Sequence, residues 1–170
     1  MKKVLIILAI LFLNFAYSQE DLVEKGIKAY ENGDYVKAEK YLRKACDLNS
    51  GNGCTNLGFM HRNGYGVRKD NFKAVELYQK ACSLEKGLGC FNLGVMYANG
   101  QGVKKDNFKA AELYQKACDL NNGNGCFNLG AIYALGKGVR KDTSKALEYF
   151  GKACDLKDDL GCQAYARLKQ

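Results

Sequence analysis

Proline is absent from the 170 residues, and histidine occurs once, at His61. Without proline, no turn is stiffened by a pyrrolidine ring, so a chain with many turns must take its rigidity from elsewhere. One histidine is too few for a zinc centre built from several imidazoles. Long apolar runs are missing apart from residues 4–15, and that run falls well short of the roughly 20 residues that span a bilayer. Charge is unbalanced, with a formal net value of +8, yet the lysines are spread through the chain instead of clustering. Such a spread describes a solvated helical surface and not a nucleic-acid footprint, and no nucleic-acid recognition motif is present.

What is present at the start is an export signal in outline. Lys2 and Lys3 precede the apolar run, and Ala16-Tyr17-Ser18 follows it, so residues 1–18 are expected to be cut away between Ser18 and Gln19. The first cysteine is Cys46, too distant from the cut to carry a lipid. The mature chain, residues 19–170, is therefore expected to be secreted or periplasmic, monomeric and without a stable membrane anchor.

The mature chain repeats itself. Residues 87–122 read GLGCFNLGVMYANGQGVKKDNFKAAELYQKACDLNN, and near copies occupy 51–86 and 123–158. A shorter copy lies at about 20–50, and half a copy closes the chain at 159–170. A period between 20 and 50 residues is the mark of a solenoid, in which each unit buries its apolar face against its neighbours.

Eight cysteines recur with the repeat, and eight cysteines allow 105 pairings in principle. Joining neighbours eight apart uses all of them: Cys46–Cys54, Cys82–Cys90, Cys118–Cys126 and Cys154–Cys162. Joining across the longer gap, as in Cys54–Cys82, would strand Cys46 and Cys162 at opposite ends of an elongated molecule, so the short pairing is expected. The spacing is not the C-x-x-C knuckle of a zinc site, and neither a metal nor another cofactor is expected. Closing a loop of about nine residues removes roughly 2.5 kcal/mol of unfolded-state entropy, so four bridges could contribute up to about 10 kcal/mol. That rivals the stability of a whole ordinary domain.

Within each unit, apolar periodicity predicts a pair of helices. The turn between them carries two glycines two apart, Gly64 and Gly66, Gly100 and Gly102, Gly136 and Gly138, where positive φ costs nothing. Asp70, Asp106 and Asp142 then stand at the N-cap of the second helix. Along that helix Glu76 and Lys80, Glu112 and Lys116, and Glu148 and Lys152 are four apart in the favourable order. Gly58, Gly94 and Gly130 fall inside the first helices and imply close backbone approach. Most tyrosines are expected to fill the core with the hydroxyl reaching the surface.

The string LGVMYANGQGVKKDNFKA at residues 93–110 resembles the Sel-one-like repeat, a relative of the tetratricopeptide repeat. With one cysteine ending each second helix and another opening the next first helix, the chain is similar to the Helicobacter cysteine-rich proteins. The resemblance implies an all-α, right-handed superhelical solenoid of antiparallel helix pairs, about four repeats plus a C-terminal helix. It also implies penicillin binding and slow β-lactam hydrolysis, because members of that family are classed as β-lactamases. Ser83-Leu84-Glu85-Lys86 matches the Ser-x-x-Lys string of serine β-lactamases, but the Ser-Asp-Asn and Lys-Thr-Gly strings do not occur. Ser83 also stands where other units have Asp47, Asp119 and Asp155, which marks the match as coincidence. No catalytic residue is assigned.

Function is expected on the first helices, which usually line the concave side of a solenoid. Asn56, Asn92 and Asn128 recur there, one per repeat. An asparagine in mid-helix has poor propensity, but its amide can hold both the N–H and the C=O of an extended peptide, as a similarly placed asparagine does in tetratricopeptide proteins. The expected ligands are an extended peptide, a peptidoglycan fragment or a β-lactam. A non-enzymatic protein-interaction module, or a secreted factor met by host cells, is the alternative. His61 fills the slot of Tyr97 and Tyr133 and is expected to be a partly buried packing replacement.

Overall fold

The computed structural model describes residues 18–170, so the expected export signal lies outside the described residues apart from Ser18. All regular structure among the described residues is helical. Helix α1 covers residues 18–31, followed by α2 (Tyr35–Asp47), α3 (Gly51–Asn63), α4 (Asn71–Ser83) and α5 (Gly87–Asn99). Then come α6 (Asn107–Asp119), α7 (Gly123–Leu135), α8 (Thr143–Asp155) and α9 (Asp159–Leu168). Helices α3, α5 and α7 each pack on the even helix that follows and on the one before, and α9 packs on α8, as a solenoid of helix pairs requires.

Local chemistry sets the helix ends. Asp70, Asp106 and Asp142 each accept a hydrogen bond at 2.9 Å from the backbone N–H three residues on, at Lys73, Lys109 and Lys145. These bonds satisfy one of the free amides that open every helix. Ser50, Asn122 and Asp158 do the same for α3, α7 and α9. At the other end, α3, α5 and α7 stop at Gly64, Gly100 and Gly136, all left-handed.

Two kinds of close approach hold the stack together. Inside a pair, an aromatic ring of the even helix lies on a glycine of the odd one: a Cβ on Gly58, Gly94 or Gly130 would sit 2.7 Å from a ring carbon of Tyr78, Tyr114 or Phe150. The glycines therefore admit a ring, where the sequence implied backbone meeting backbone. Between pairs the backbones do meet. A Cβ on Gly89 would fall 2.6 Å from Ala81 Cβ and 3.1 Å from the Cys82 nitrogen, and Gly53, Gly125 and Gly161 are placed alike.

The four disulfides sit at those same junctions. Cys46–Cys54, Cys82–Cys90, Cys118–Cys126 and Cys154–Cys162 all form, with Cα separations of 4.4 to 4.6 Å. Each bridge ties the last turn of an even helix to the first turn of the next odd one.

Two expectations about side chains change. Tyr78 is fully buried and its hydroxyl does not reach the surface; burial pushes its pKa up to about 12 against the opposing pull of Arg62. Of the three i,i+4 ion pairs, only Glu148–Lys152 forms, at 2.7 Å. Glu76 and Glu112 turn back to Lys73 and Lys109 at 2.8 Å, and Lys80 instead donates to the Cys46 carbonyl one repeat away, at 2.7 Å.

Replacing Cys118 and Cys126 together by alanine is expected to lower unfolding stability by about 2.5 kcal/mol, read from urea titration of otherwise oxidised protein. A loss below about 0.5 kcal/mol would mean that the junction is held by packing alone.

Candidate functional site

The odd helices form the inner side of the curve. Helix α3 touches α5, α5 touches α7 and α7 touches α9, while successive even helices have no comparable contact. Elements that approach more closely lie toward the centre of curvature, so the asparagine ladder runs along inner helices.

Asn56, Asn92 and Asn128 are half-buried at equivalent points of α3, α5 and α7. Asn56 Nδ2 donates to the Asn52 carbonyl at 2.9 Å, and Asn128 Nδ2 to the Asn124 carbonyl at 2.8 Å. Each of those two amides keeps its Oδ1 acceptor and one of its two Nδ2 hydrogens, the other being used within the helix. Asn92 makes no such bond and keeps both hydrogens. Phe59 on α3 and Leu88 on α5 stand exposed, giving the mixed polar and apolar surface expected from residues three or four away.

A cleft of about 620 Å³ lies at the first end of this face, lined by Val23 and Ile27 of α1, by Ser50 and Asn52, and by Leu84 and Lys86. Near the other end of α1, Tyr30, Tyr35, Phe59 and Tyr65 form a ring cluster, with centroids 5.2 Å apart for Tyr30–Tyr35 and 5.6 Å for Tyr30–Tyr65. Nothing in the repeat pattern pointed to this cluster. Its members come from three helices and a turn, and only the fold brings them together.

Ser83 is exposed at the end of α4, and its Oγ donates to the Lys80 carbonyl at 2.7 Å. No hydrogen bond joins it to Lys86. All eight cysteines are oxidised, and no cluster of three or more potential metal ligands occurs among the described residues.

His61 is more buried than a partly buried replacement would be, at 9% exposure, and neither ring nitrogen has a hydrogen-bond partner. Its pKa is lowered, first by burial and then by the Arg43 cation, with Lys73 adding to the effect and Asp70 and Glu39 opposing it. The imidazole is thus held neutral.

Helix pairs stacked with one carboxamide per repeat on the inner side, and tied by disulfides, make up a helix-repeat solenoid. The Sel1 repeat matches at residues 22–50, 51–86, 87–122 and 123–158, and the chain belongs to that family. HcpC of Helicobacter pylori is 46% identical over 51 residues, covering 30% of this chain and 18% of that protein. Beta-lactamase HcpA of the same species is 46% identical over 51 residues, again 30% of this chain and 20% of the relative. The chain thus spans about a fifth of the length of these curated relatives. Among solved structures, H. pylori cysteine rich protein B superposes with a TM-score of 0.63 at 42% identity, covering 76% of this chain and 93% of that one. A protective antigen of uropathogenic Escherichia coli with an SLR fold gives a TM-score of 0.80 at 28% identity, covering 88% and 33%.

The lowered His61 pKa makes stability depend on pH with a definite sign. The unfolded chain takes up the proton first, so stability is complete above the ordinary value of 6.5 and is lost as pH falls through the folded-state value. His61→Tyr, which installs the residue of the neighbouring units, is expected to flatten that acid-side loss between pH 7 and 5, measured as the urea midpoint. An unchanged slope would place the proton uptake elsewhere.

Proposed function

We propose that the chain is an exported binding scaffold whose inner face holds an extended peptide or a peptide-bearing cell-wall fragment, with Asn56, Asn92 and Asn128 engaging its amides. The observation that carries this reading is the recurrence of one half-buried carboxamide at the same point of three touching inner helices. An Oδ1 acceptor on each can take a peptide N–H, and each Nδ2 has a hydrogen left for a carbonyl, two in the case of Asn92. Phe59 and Leu88 would receive apolar side chains. Four disulfides support a home in an oxidising compartment. On this reading residues 1–18 are the export signal and residues 19–170 the solenoid.

A β-lactam reading rests on the name of HcpA. A β-lactam is itself an acylated peptide mimic, so the same face would bind it. Turnover is less well supported: the cysteines are oxidised and Ser83 is bonded to its own helix, leaving polarisation of a bound lactam by amide donors as the available route.

The test uses the exported, oxidised protein with a muramyl pentapeptide and a chromogenic cephalosporin as probes. Asn92→Ala is expected to weaken pentapeptide binding about fivefold, the loss of roughly 1 kcal/mol that one hydrogen bond provides. Unchanged affinity in the triple alanine variant of Asn56, Asn92 and Asn128 would remove the ladder from the site. Cephalosporin hydrolysis that survives Ser83→Ala but vanishes in the triple variant would move the reading to β-lactam turnover. N-terminal sequencing of the exported form is expected to begin at Gln19.

A further inference from the structure

The solenoid has two edges, one at each end of its helices, and they differ in charge. The turns inside the pairs carry Arg68 and Lys69, Lys104 and Lys105, and Arg140 and Lys141, all exposed. Each of those turns also carries one carboxylate, Asp70, Asp106 or Asp142, which caps α4, α6 or α8, so two cations stand against one anion in every turn. At the junctions between pairs the balance reverses, with Asp47, Glu85, Asp119, Asp155, Asp158 and Asp159 outnumbering Lys86 and Lys157. A helix of 13 residues separates the two edges, about 20 Å at 1.5 Å per residue. That exceeds the Debye length of about 8 Å in physiological salt, so each edge acts as its own surface.

Exposed apolar side chains stand on the basic edge at Leu135, which ends α7 with 63% exposure, and at one recurrent point, the second residue of α2, α4 and α6. Phe72 is 73% exposed, Phe108 59% and Val36 72%. A benzyl group left so far in water is unfavourable, and here it recurs. The edge is continuous from unit to unit. A Cβ on Gly102 would collide with the Asn71 backbone, and one on Gly138 would lie 2.8 Å from the Phe108 nitrogen. Each phenylalanine is thus flanked by the basic turn of its own unit and by that of the next. A hollow of about 640 Å³ opens between Arg68, Lys69, Phe72 and Gly102. A similar one of about 500 Å³ lies between Arg140, Lys141 and Lys145.

We propose that this edge is a docking surface for an anionic lipid bilayer, with Phe72 and Phe108 entering the interface and the paired cations of the turns seated among headgroup phosphates. Exposed aromatic groups interleaved with cations match both halves of an anionic membrane surface, the apolar boundary and the negative potential. A soluble polyanion would satisfy the cations and leave the rings in water. The binding is peripheral and reversible, and it leaves the inner face free, because the asparagines lie on the odd helices and the phenylalanines open the even ones.

The test is sedimentation of the exported, oxidised protein with vesicles, either pure phosphatidylcholine or one-third phosphatidylglycerol. Binding to the anionic vesicles is expected to exceed binding to the neutral ones by about tenfold or more and to fall as salt is raised. The double variant Phe72→Ser/Phe108→Ser, whose side chains are exposed and not needed for folding, is expected to lose about tenfold, and Lys104→Ser/Lys105→Ser a similar factor. Circular dichroism and a thiol assay confirm that each variant is folded and oxidised. Equal binding to both vesicle types overturns the proposal, as does retention of full affinity in the phenylalanine variant. Capture of soluble heparin without vesicle binding also overturns it, in favour of a polyanion site.

Discussion

Everything in this molecule depends on how closely the backbone of one helix pair can approach the next. At each junction a glycine faces an alanine, and the cysteine after the glycine bonds to the cysteine after the alanine. The small residues allow the approach, and the covalent bridge makes it permanent. A solenoid has no central core to fall back on, since each unit buries its apolar face only on its neighbours. Loss of one junction therefore exposes two faces. The cross-links answer the absence of proline, because they fix the ends of turns that no ring stiffens.

The same junction tolerates a strained residue in every unit. Asn49, Glu85, Asn121 and Lys157 have φ between 57° and 63°, in the left-handed region. Asparagine enters that region readily, but Glu85 and Lys157 pay about 1 kcal/mol or more for it. They are held by the next amides in the turn, which bond back into the even helix: Lys86 N–H donates to the Ala81 carbonyl and Asp158 N–H to the Ala153 carbonyl, at 3.1 and 3.0 Å. A bridge eight residues long encloses this turn, so the strain cannot relax by opening it.

Features fixed by local spacing were legible in the sequence, and features fixed across repeats were not. The repeat register, the helix pairs, the bridges and the caps at Asp70, Asp106 and Asp142 all follow from partners within a few residues or from the period itself. Lys80 illustrates the other class: its neighbour Glu76 sits four residues away in the favourable order, yet its bond goes to the Cys46 carbonyl, 34 residues distant. Tyr78 likewise looks like Tyr114 and Phe150 in alignment, and only packing reveals that its hydroxyl is sealed from solvent. For the asparagine ladder the sequence marked the positions and the face. It could not indicate that Asn56 and Asn128 would spend a donor on their own helices, since that is a choice of rotamer.

This division bears on what kind of activity the frame can support. Reactive chemistry needs a nucleophile or base whose pKa is tuned by burial and partners; here the buried His61 imidazole has no hydrogen-bond partner, and every cysteine sulfur is in a bridge. Recognition needs something different: groups fixed in place before the ligand arrives, so that little ordering entropy is lost on binding. On the proposed reading the amides on α3, α5 and α7 would meet that need, because each sits on a helix tied by a disulfide in its first turn. A covalently locked junction would then serve recognition by holding successive amides at a constant spacing that a flexible stack would blur.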